Sequence, residues 1–308
     1  MTQVLIAFFL LILSINLVFG FNKALVIVQN SVFSSNIPSN KKGSERVVIN
    51  EIKKAPMPMN IKNIPAPVVS AEGVLVKDLE THTILYKKNE NEKLPIASTT
   101  KIMTALIASS YFQYSDILEV KDLSGVSGSN MGLKLGEKLT FRSLLYGLLL
   151  NSGNDAAFVI AQNYPGGASN FIAEMNKKSS ELGLQNSRFA NPAGFDQPNH
   201  YSSAMDLDYI SEMAIKDPFI LKVVGTSVSQ VSSVDQTVIH NLKNVDILLG
   251  QNGFIGIKTG FTPAAKENFV GLVSRDGHRI LTVVLGSDDR FGETEKLVDW
   301  VFTNFEWR

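Results

Sequence analysis

The sequence predicts an α+β domain in which a central antiparallel sheet, built from both ends of the chain, is flanked by helices drawn from a mostly helical middle. Three observations carry this. Residues 73–89 and 268–286 each read as two apolar, β-branched runs around a polar centre, and the apolar spacing between them turns helical. In GVLVKDLETHTILYKKN the pattern is that of a hairpin. Residues 102–108, 141–150, 156–162 and 171–182 carry helix-spaced apolar residues, with Gly183 placed to cap the last. In NFVGLVSRDGHRILTVVLG, Asp276-Gly277 separates the two runs, a pair suited to the left-handed backbone of a tight hairpin. Residues 293–305 close the chain with Leu297, Trp300, Val301 and Phe305 on one helical face.

Composition bounds the function. The 308 residues are 44% apolar, counting aromatics, which is ample for a core and argues against wholesale disorder. Lys and Arg number 29 and Asp and Glu 29, so no whole-chain field attracts a phosphate backbone, and no local basic patch replaces it. No nucleic-acid partner is expected. The absence of cysteine removes disulfides, thiolate metal sites and thiol nucleophiles together. A nucleophile must be Ser, Thr, Lys or a carboxylate.

Residues 4–19, VLIAFFLLILSINLVF, are broken only by Ser14 and Asn16, and no charge follows until Lys23. A signal-peptide core is about 7–15 residues and a spanning helix needs about 20, so this run lies between the two. Val18 and Gly20 suit a cleavage site, whereas no Lys or Arg precedes the run. Residues 1–22 are therefore read as a signal peptide or an N-terminal membrane anchor. Either exports the remainder, to the periplasm or the outer face of the cytoplasmic membrane. Residues 23–68, rich in Ser, Asn, Lys and Pro, read as a flexible tether, with the folded domain at 69–308.

The chemistry starts at PIASTTKIMTALIA, where Ser98 precedes Lys101 by three residues at the start of a helical stretch. Those positions share a helix face. A serine hydroxyl needs a base, and a lysine whose charge is disfavoured by burial or by another cation can be one. Ser-x-x-Lys alone is weak, since average composition yields on the order of one match in a chain this long. Ser39 and Lys42 repeat the spacing, and Ser34 and Asn36 imitate the next motif, but both lie in the tether. In LLLNSGNDAAFVIA, Ser152-Gly153-Asn154 interrupts two helical runs. It reads either as a helix C-cap followed by an N-cap, or as a loop presenting a hydroxyl and an amide to a cleft. In GFIGIKTGFTPAA, Lys258-Thr259-Gly260 follows a short alternating run, as in an edge strand. Gly260 there admits a substrate backbone while Lys258 and Thr259 can bind a carboxylate.

In this order the three motifs follow the pattern of penicillin-binding proteins and class A β-lactamases, with Ser-Gly-Asn in place of Ser-Asp-Asn. With PIASTTKIMTAL, LLLNSGNDAA, NPAGFDQPNHYSSAMDLDYIS, IKTGFT and VVLGSDDRFGETEKL, residues 69–308 resemble the low-molecular-mass D-alanyl-D-alanine carboxypeptidases of peptidase family S11. The resemblance implies the β-lactamase/transpeptidase-like fold, with a helical subdomain contributing the Ser-x-Asn loop. It implies that Ser98 forms an acyl-enzyme, Lys101 takes its proton and Ser152 relays a proton to the departing D-alanine. Asn154 then holds the acyl side of the substrate, and Lys258, Thr259 and Gly260 bind its carboxylate end, Lys258 also helping to keep Lys101 neutral. Backbone N–H groups of Ser98 and Phe261 form the oxyanion hole. Implied partners are peptidoglycan stem peptides ending in D-Ala-D-Ala and β-lactams as covalent inhibitors, with no metal and no cofactor.

Two departures stand out. Phe261 follows Lys-Thr-Gly where some members carry His, and the sequence stops at Arg308 where many relatives continue into a small β-rich domain and an amphipathic helix. The second favours an anchor at the N-terminus. His82, His200, His240 and His278 show no metal-ligand spacing and are read as structural or surface residues, His200 lying in a family-like segment. Alternatives of the same fold are a DD-endopeptidase acting on cross-linked peptidoglycan and a non-catalytic peptidoglycan-binding protein. A β-lactamase is disfavoured, because no Glu-x-x-Leu-Asn segment follows Ser-Gly-Asn.

Overall fold

The computed structural model describes residues 55–308, and the two ends of that stretch meet twice. Strand β1 (Pro58–Asn60) pairs antiparallel with β11 (Phe305–Trp307), and β2 (Gly73–Asp78) pairs antiparallel with β10 (His278–Ser287). With β3 (Ile84–Lys88), β8 (Phe254–Thr262) and β9 (Lys266–Arg275) these last two form a five-stranded antiparallel sheet of order β3-β2-β10-β9-β8. The hairpins are those read from the sequence, and Asp276 and Gly277 both take the left-handed backbone at the β9–β10 turn.

Alternation along the central strands gives the sheet two apolar faces. Val74, Val76, Ile280 and Val284 face one side with Phe269 and Val273, and there the last helix, α7 (Arg290–Asn304), covers them with Leu297, Val298 and Val301. Leu75, Leu281, Val283 and Leu285 face the other side, against α1 (Thr100–Tyr111) and α5 (Ala204–Ile215). Helices α2 (Phe141–Leu149), α3 (Asn154–Asn163) and α4 (Gly167–Glu181) form the helical subdomain around Phe141, Leu144, Ile160, Phe171 and Met175. Thr140 caps α2 through the Ser143 N–H at 3.1 Å, and Asp289 caps α7 through the Gly292 N–H at 3.0 Å.

Three features lie beyond the sequence-based expectation. The folded region starts before residue 69: besides β1, the Ile64 N–H bonds Asn304 Oδ1 at 2.9 Å and its carbonyl accepts from Trp300 Nε1 at 2.8 Å. Local composition hides this, because the partners lie at the far end of the chain. Helices α5 and α6 (Pro218–Val224) and the small hairpins β4–β5 (Ile117–Glu119, Lys138–Thr140) and β6–β7 (Val228–Ser232, Ile239–Lys243) were not located from periodicity. The apolar run at 4–19, the 1–22 segment, both decoy pairs and the tether up to 54 lie outside the described residues. Among those described, no helix is long and apolar enough to cross a membrane.

One charge cluster ties the sheet to α5. Lys77 of β2 is 8% exposed and bonds Asp208 and, at 3.0 Å, Glu212. Burial pushes the Asp208 carboxyl up to about 6 despite the opposing pull of Lys77. Asp208→Ala is expected to cost about 3 kcal/mol, the low end for breaking a buried pair because Glu212 remains. Urea denaturation measures this, and a loss below about 1 kcal/mol, the surface-pair range, would show that Glu212 alone satisfies Lys77.

Candidate active site

Ser98 lies in a 3-10 turn, Ala97–Thr99, that feeds directly into α1. Threonine hydroxyls tighten this turn: Thr99 Oγ1 donates to the Ile96 carbonyl at 2.6 Å and Thr100 Oγ1 to the Ala97 carbonyl at 2.7 Å. Ala97 has φ +46°, a left-handed conformation uncommon for a residue with a Cβ. Strain of this kind persists only where surrounding contacts impose it. One such contact is Gly194, whose φ is +94° and whose backbone packs so closely that a Cβ would overlap the Ala97 carbonyl. Gly194→Ala is expected to destabilise the fold by roughly 1–3 kcal/mol. The same shift of the Ser98 turn is expected to lower turnover at Ser98 on the order of 100-fold, measured in steady state beside the thermal melt.

Behind the turn runs a relay of hydrogen bonds that fixes a histidine tautomer. The Ala190 N–H donates to His200 Nδ1 at 3.0 Å, which leaves the proton on Nε2, 2.8 Å from Thr100 Oγ1. Thr100 in turn donates to Ala97. Burial depresses the His200 pKa to about 4, so the ring is neutral at neutral pH and supports the turn from behind.

Lys101 is completely buried one turn along, and its Nζ lies 2.8 Å from Ser98 Oγ, 2.7 Å from Asn154 Oδ1 and 2.7 Å from the Ala193 carbonyl oxygen. The last two atoms only accept hydrogen bonds. Asn154 is oriented by its other end, Nδ2, which donates to the Ser127 carbonyl at 2.6 Å. A neutral amine has two protons for these two acceptors and a lone pair left for the Ser98 hydroxyl. Burial holds the Lys101 pKa well below the usual lysine value, repulsion from Lys258 adds to that, and Asp155 partly opposes both. Ser98 itself is half-buried.

The Ser-Gly-Asn segment is a loop between α2 and α3, with Ser152 at φ +55° and 5% exposed. Asp155 anchors it. One carboxylate oxygen accepts from the N–H groups of Met131 and Ala156, and the other from those of Gly132 and Leu133, at 2.8–3.1 Å. Among the described residues the Ser152 hydroxyl is not bonded to Ser98 or Lys101, whose three Nζ positions are filled by Ser98, Asn154 and Ala193. Both polar ends of Asn154 are engaged by the protein, so in this structure it holds Lys101.

Strand β8 is the edge of the sheet, as its pattern suggested, and places Lys258 and Thr259, 1% and 6% exposed, alongside. At Gly260 a Cβ would lie 3.0 Å from the Ile96 carbonyl and 3.2 Å from the Ser98 nitrogen, so any larger residue here would press on the Ser98 turn. That approach sets the backbone of Ser98 next to that of Gly260. The Phe261 side chain points outward and is 61% exposed. Burial lowers the Lys258 pKa to about 7, Asp246 opposes the fall and Arg290 adds to it.

Several residues that the motifs did not reveal belong to this site. Asn191 folds the segment that delivers the Ala193 carbonyl, its Oδ1 accepting from the N–H groups of Ala193, Gly194 and Phe195 at 2.7–3.1 Å. Arg290 Nη1 donates to the Gly260 carbonyl at 3.0 Å, which puts a second cation beside Lys258. Asn191 and Arg290 lie in segments that carried the resemblance, whereas Ala193 acts through its backbone and leaves no side-chain signal. Of the histidines, His240 bonds Glu137 at 2.6 Å inside the helical subdomain, His278 stacks on Trp307, and His82 is exposed near Glu212. Among the described residues no group of three His, Asp or Glu side chains is placed to hold a metal ion.

Comparison with known proteins agrees with this geometry. The family described as D-alanyl-D-alanine carboxypeptidase, peptidase S11, matches residues 60–289. The D-alanyl-D-alanine carboxypeptidase DacF of Bacillus subtilis is 31% identical over 77% of this chain, which spans 63% of that relative. DacB2 of Mycobacterium tuberculosis is 32% identical, covering 78% of this chain and 85% of the relative. The crystal structure of the Streptomyces K15 DD-transpeptidase superposes with a TM-score of 0.74 at 31% identity, over 78% of this chain and 100% of that one. The family match over residues 60–289 and the 32% identity to DacB2 across 85% of that relative, on this same fold, place this chain in the S11 family of serine-type D-Ala-D-Ala carboxypeptidases.

Proposed function

We propose that the protein removes the terminal D-alanine from peptidoglycan stem pentapeptides through an acyl-enzyme on Ser98. The observation that supports this is the surroundings of Lys101 Nζ, a completely buried amine with a depressed pKa that lies within hydrogen-bond distance of the Ser98 hydroxyl and is held by Asn154 Oδ1 and the Ala193 carbonyl. Ser98 Oγ attacks the carbonyl between the two D-alanines as its proton passes to Lys101. The oxyanion so formed is held by the backbone N–H groups of Ser98 and Phe261. Collapse breaks the amide bond, and the departing amine takes a proton through Ser152. Lys258, Thr259 and Gly260 receive the terminal carboxylate, with Asn154 serving Lys101 and the acyl side of the substrate. Water then hydrolyses the ester. β-Lactams, which carry a carboxylate beside a strained amide, enter the same path and acylate Ser98.

In this reading residues 69–308 carry the chemistry, 1–22 export the chain as a signal peptide or membrane anchor, and 23–68 link the two, the last part packing on the domain. The test is D-alanine release from a pentapeptide ending in D-Ala-D-Ala, run beside a cross-linked muropeptide dimer and with an amine acceptor added. Release from the pentapeptide by the wild type, absent in Ser98→Ala, supports the carboxypeptidase. Activity on the dimer alone would replace it with the endopeptidase. Transfer to the amine in preference to water would favour transpeptidation, the activity for which the Streptomyces K15 DD-transpeptidase is named. A folded protein inert on all three substrates would leave a binding role.

A further inference from the structure

Asn154, which holds Lys101 Nζ, is itself held by a segment with little packing of its own. Residues 121–130, between β4 and β5, are exposed apart from the half-buried Leu123 and Val126. This stretch and the three residues after it nevertheless orient the Ser-Gly-Asn loop. The Ser129 carbonyl accepts the Asn154 N–H at 2.7 Å, the Ser127 carbonyl accepts from Asn154 Nδ2 at 2.6 Å, and the N–H groups of Met131, Gly132 and Leu133 donate to Asp155. Those partners lie on the loop and α3, the parts that the segment places. An exposed segment that buries so little keeps its position only through its anchors, and this one has an anchor on a different element.

That anchor is His240 of β7, 4% exposed, whose Nδ1 lies 3.1 Å from the Met131 carbonyl oxygen and whose Nε2 lies 2.6 Å from Glu137 Oε1. A carbonyl only accepts, so Nδ1 carries a proton toward Met131, and a second proton is held between the ring and the carboxylate. Met131 is thereby gripped on both sides, its N–H by Asp155 Oδ1 at 3.0 Å and its carbonyl by His240. The other Glu137 oxygen accepts the Lys134 N–H at 3.0 Å, which closes the end of the same segment. Strand β7 is fixed independently: it pairs along its length with β6, and the Val234 N–H between them donates to the Lys138 carbonyl at 2.8 Å. The side chains of His240 and Glu137 are both buried, so water does not replace these bonds when one is lost without a rearrangement.

We infer that His240, with Glu137, is a positioning residue for the catalytic amine: it fixes Met131, Met131 fixes the 127–133 segment against Asn154, and Asn154 Oδ1 stays 2.7 Å from Lys101 Nζ. Each link is a hydrogen bond or the short backbone between two of them. This deepens the proposed function and rests on its assignment of Lys101 as the base for Ser98. A histidine that only stabilised the helical subdomain would affect the melt and not the chemistry, and that difference can be measured.

The rate at which benzylpenicillin acylates the full-length chain reads the Lys101–Ser98 step without requiring peptide turnover. His240→Ala is expected to lower that rate about tenfold, a coupling of the size found within one hydrogen-bond network. In an Asn154→Ala background, where the path is already cut, the same substitution is expected to lower the rate by less than about twofold, while its drop in melting temperature is the same in both backgrounds. Glu137→Gln keeps the volume of the pair and exchanges one acceptor oxygen for a donor. It is expected to repeat the pattern at smaller size, which decides the matter if His240→Ala does not fold. Equal rate losses in the two backgrounds, or an unchanged rate in whichever variant folds, would overturn the inference. So would a wild type that benzylpenicillin does not acylate. If acylation shows the coupling while D-alanine release from the pentapeptide is absent, the peptidase reading fails and the role of His240 stands.

Discussion

Ser98→Ala is expected to lower D-alanine release on the order of 10⁶-fold in kcat, to the background rate, by analogy with removal of the nucleophile from other serine peptidases. The hydroxyl at this position is the one within hydrogen-bond distance of the buried Lys101 Nζ, and among the described residues no second hydroxyl is. The Ser152 hydroxyl is not bonded to Lys101. The fold is expected to survive, because Lys101 keeps Asn154 and Ala193, and the threonines that shape the turn are untouched. Chromatographic assay of free D-alanine and a thermal melt measure the two effects separately. Residual turnover above about a thousandth of wild type, with an unchanged melt, would mean that another group forms the acyl-enzyme.

Lys101→Met is expected to slow acylation by about 10²–10⁴-fold, the usual contribution of a positioned general base. Methionine fills a similar volume, but Asn154 Oδ1 and the Ala193 carbonyl lose their donor. A pH signature distinguishes lost base catalysis from a packing defect. On the proposed mechanism Lys101 acts only when neutral and Lys258 only when charged, so kcat/KM passes through a maximum as pH rises, bounded by the two lysines, Lys101 with its pKa held well below the usual lysine value and Lys258 at about 7. In Lys101→Met the rising limb disappears while the falling limb stays. A variant that keeps the rising limb would assign it to another group.

The hairpins at both ends were legible because period-two alternation and the Asp-Gly turn are local signals, and the sheet follows once both ends are known to be strands. The three motifs were legible for a different reason. Ser98, Lys101, Ser152, Asn154, Lys258 and Thr259 are chemically distinctive residues at fixed short spacings, and the fold brings them to one cleft. Asn191 and Asp155 carry no such pattern. Each acts through hydrogen bonds or fields to segments distant in sequence, so their place becomes apparent only when β8, α3 and the Ala193 segment lie side by side. Strand β1 was missed likewise: a proline-bearing stretch looks like a linker until its partner, the final strand, is in view. Ala97 was invisible altogether, since nothing in an alanine predicts a left-handed backbone imposed by Gly194 from nearly a hundred residues away.

The most direct test of the account is where a penicillin attaches. The full-length protein is incubated with benzylpenicillin, its intact mass is recorded, and the digest is mapped. The account predicts one antibiotic mass added per chain, carried by the peptide that contains Ser98 and absent from Ser98→Ala. An adduct on Ser152 or on any other residue, or a folded protein that takes up no antibiotic, would contradict the assignment of Ser98 as the nucleophile.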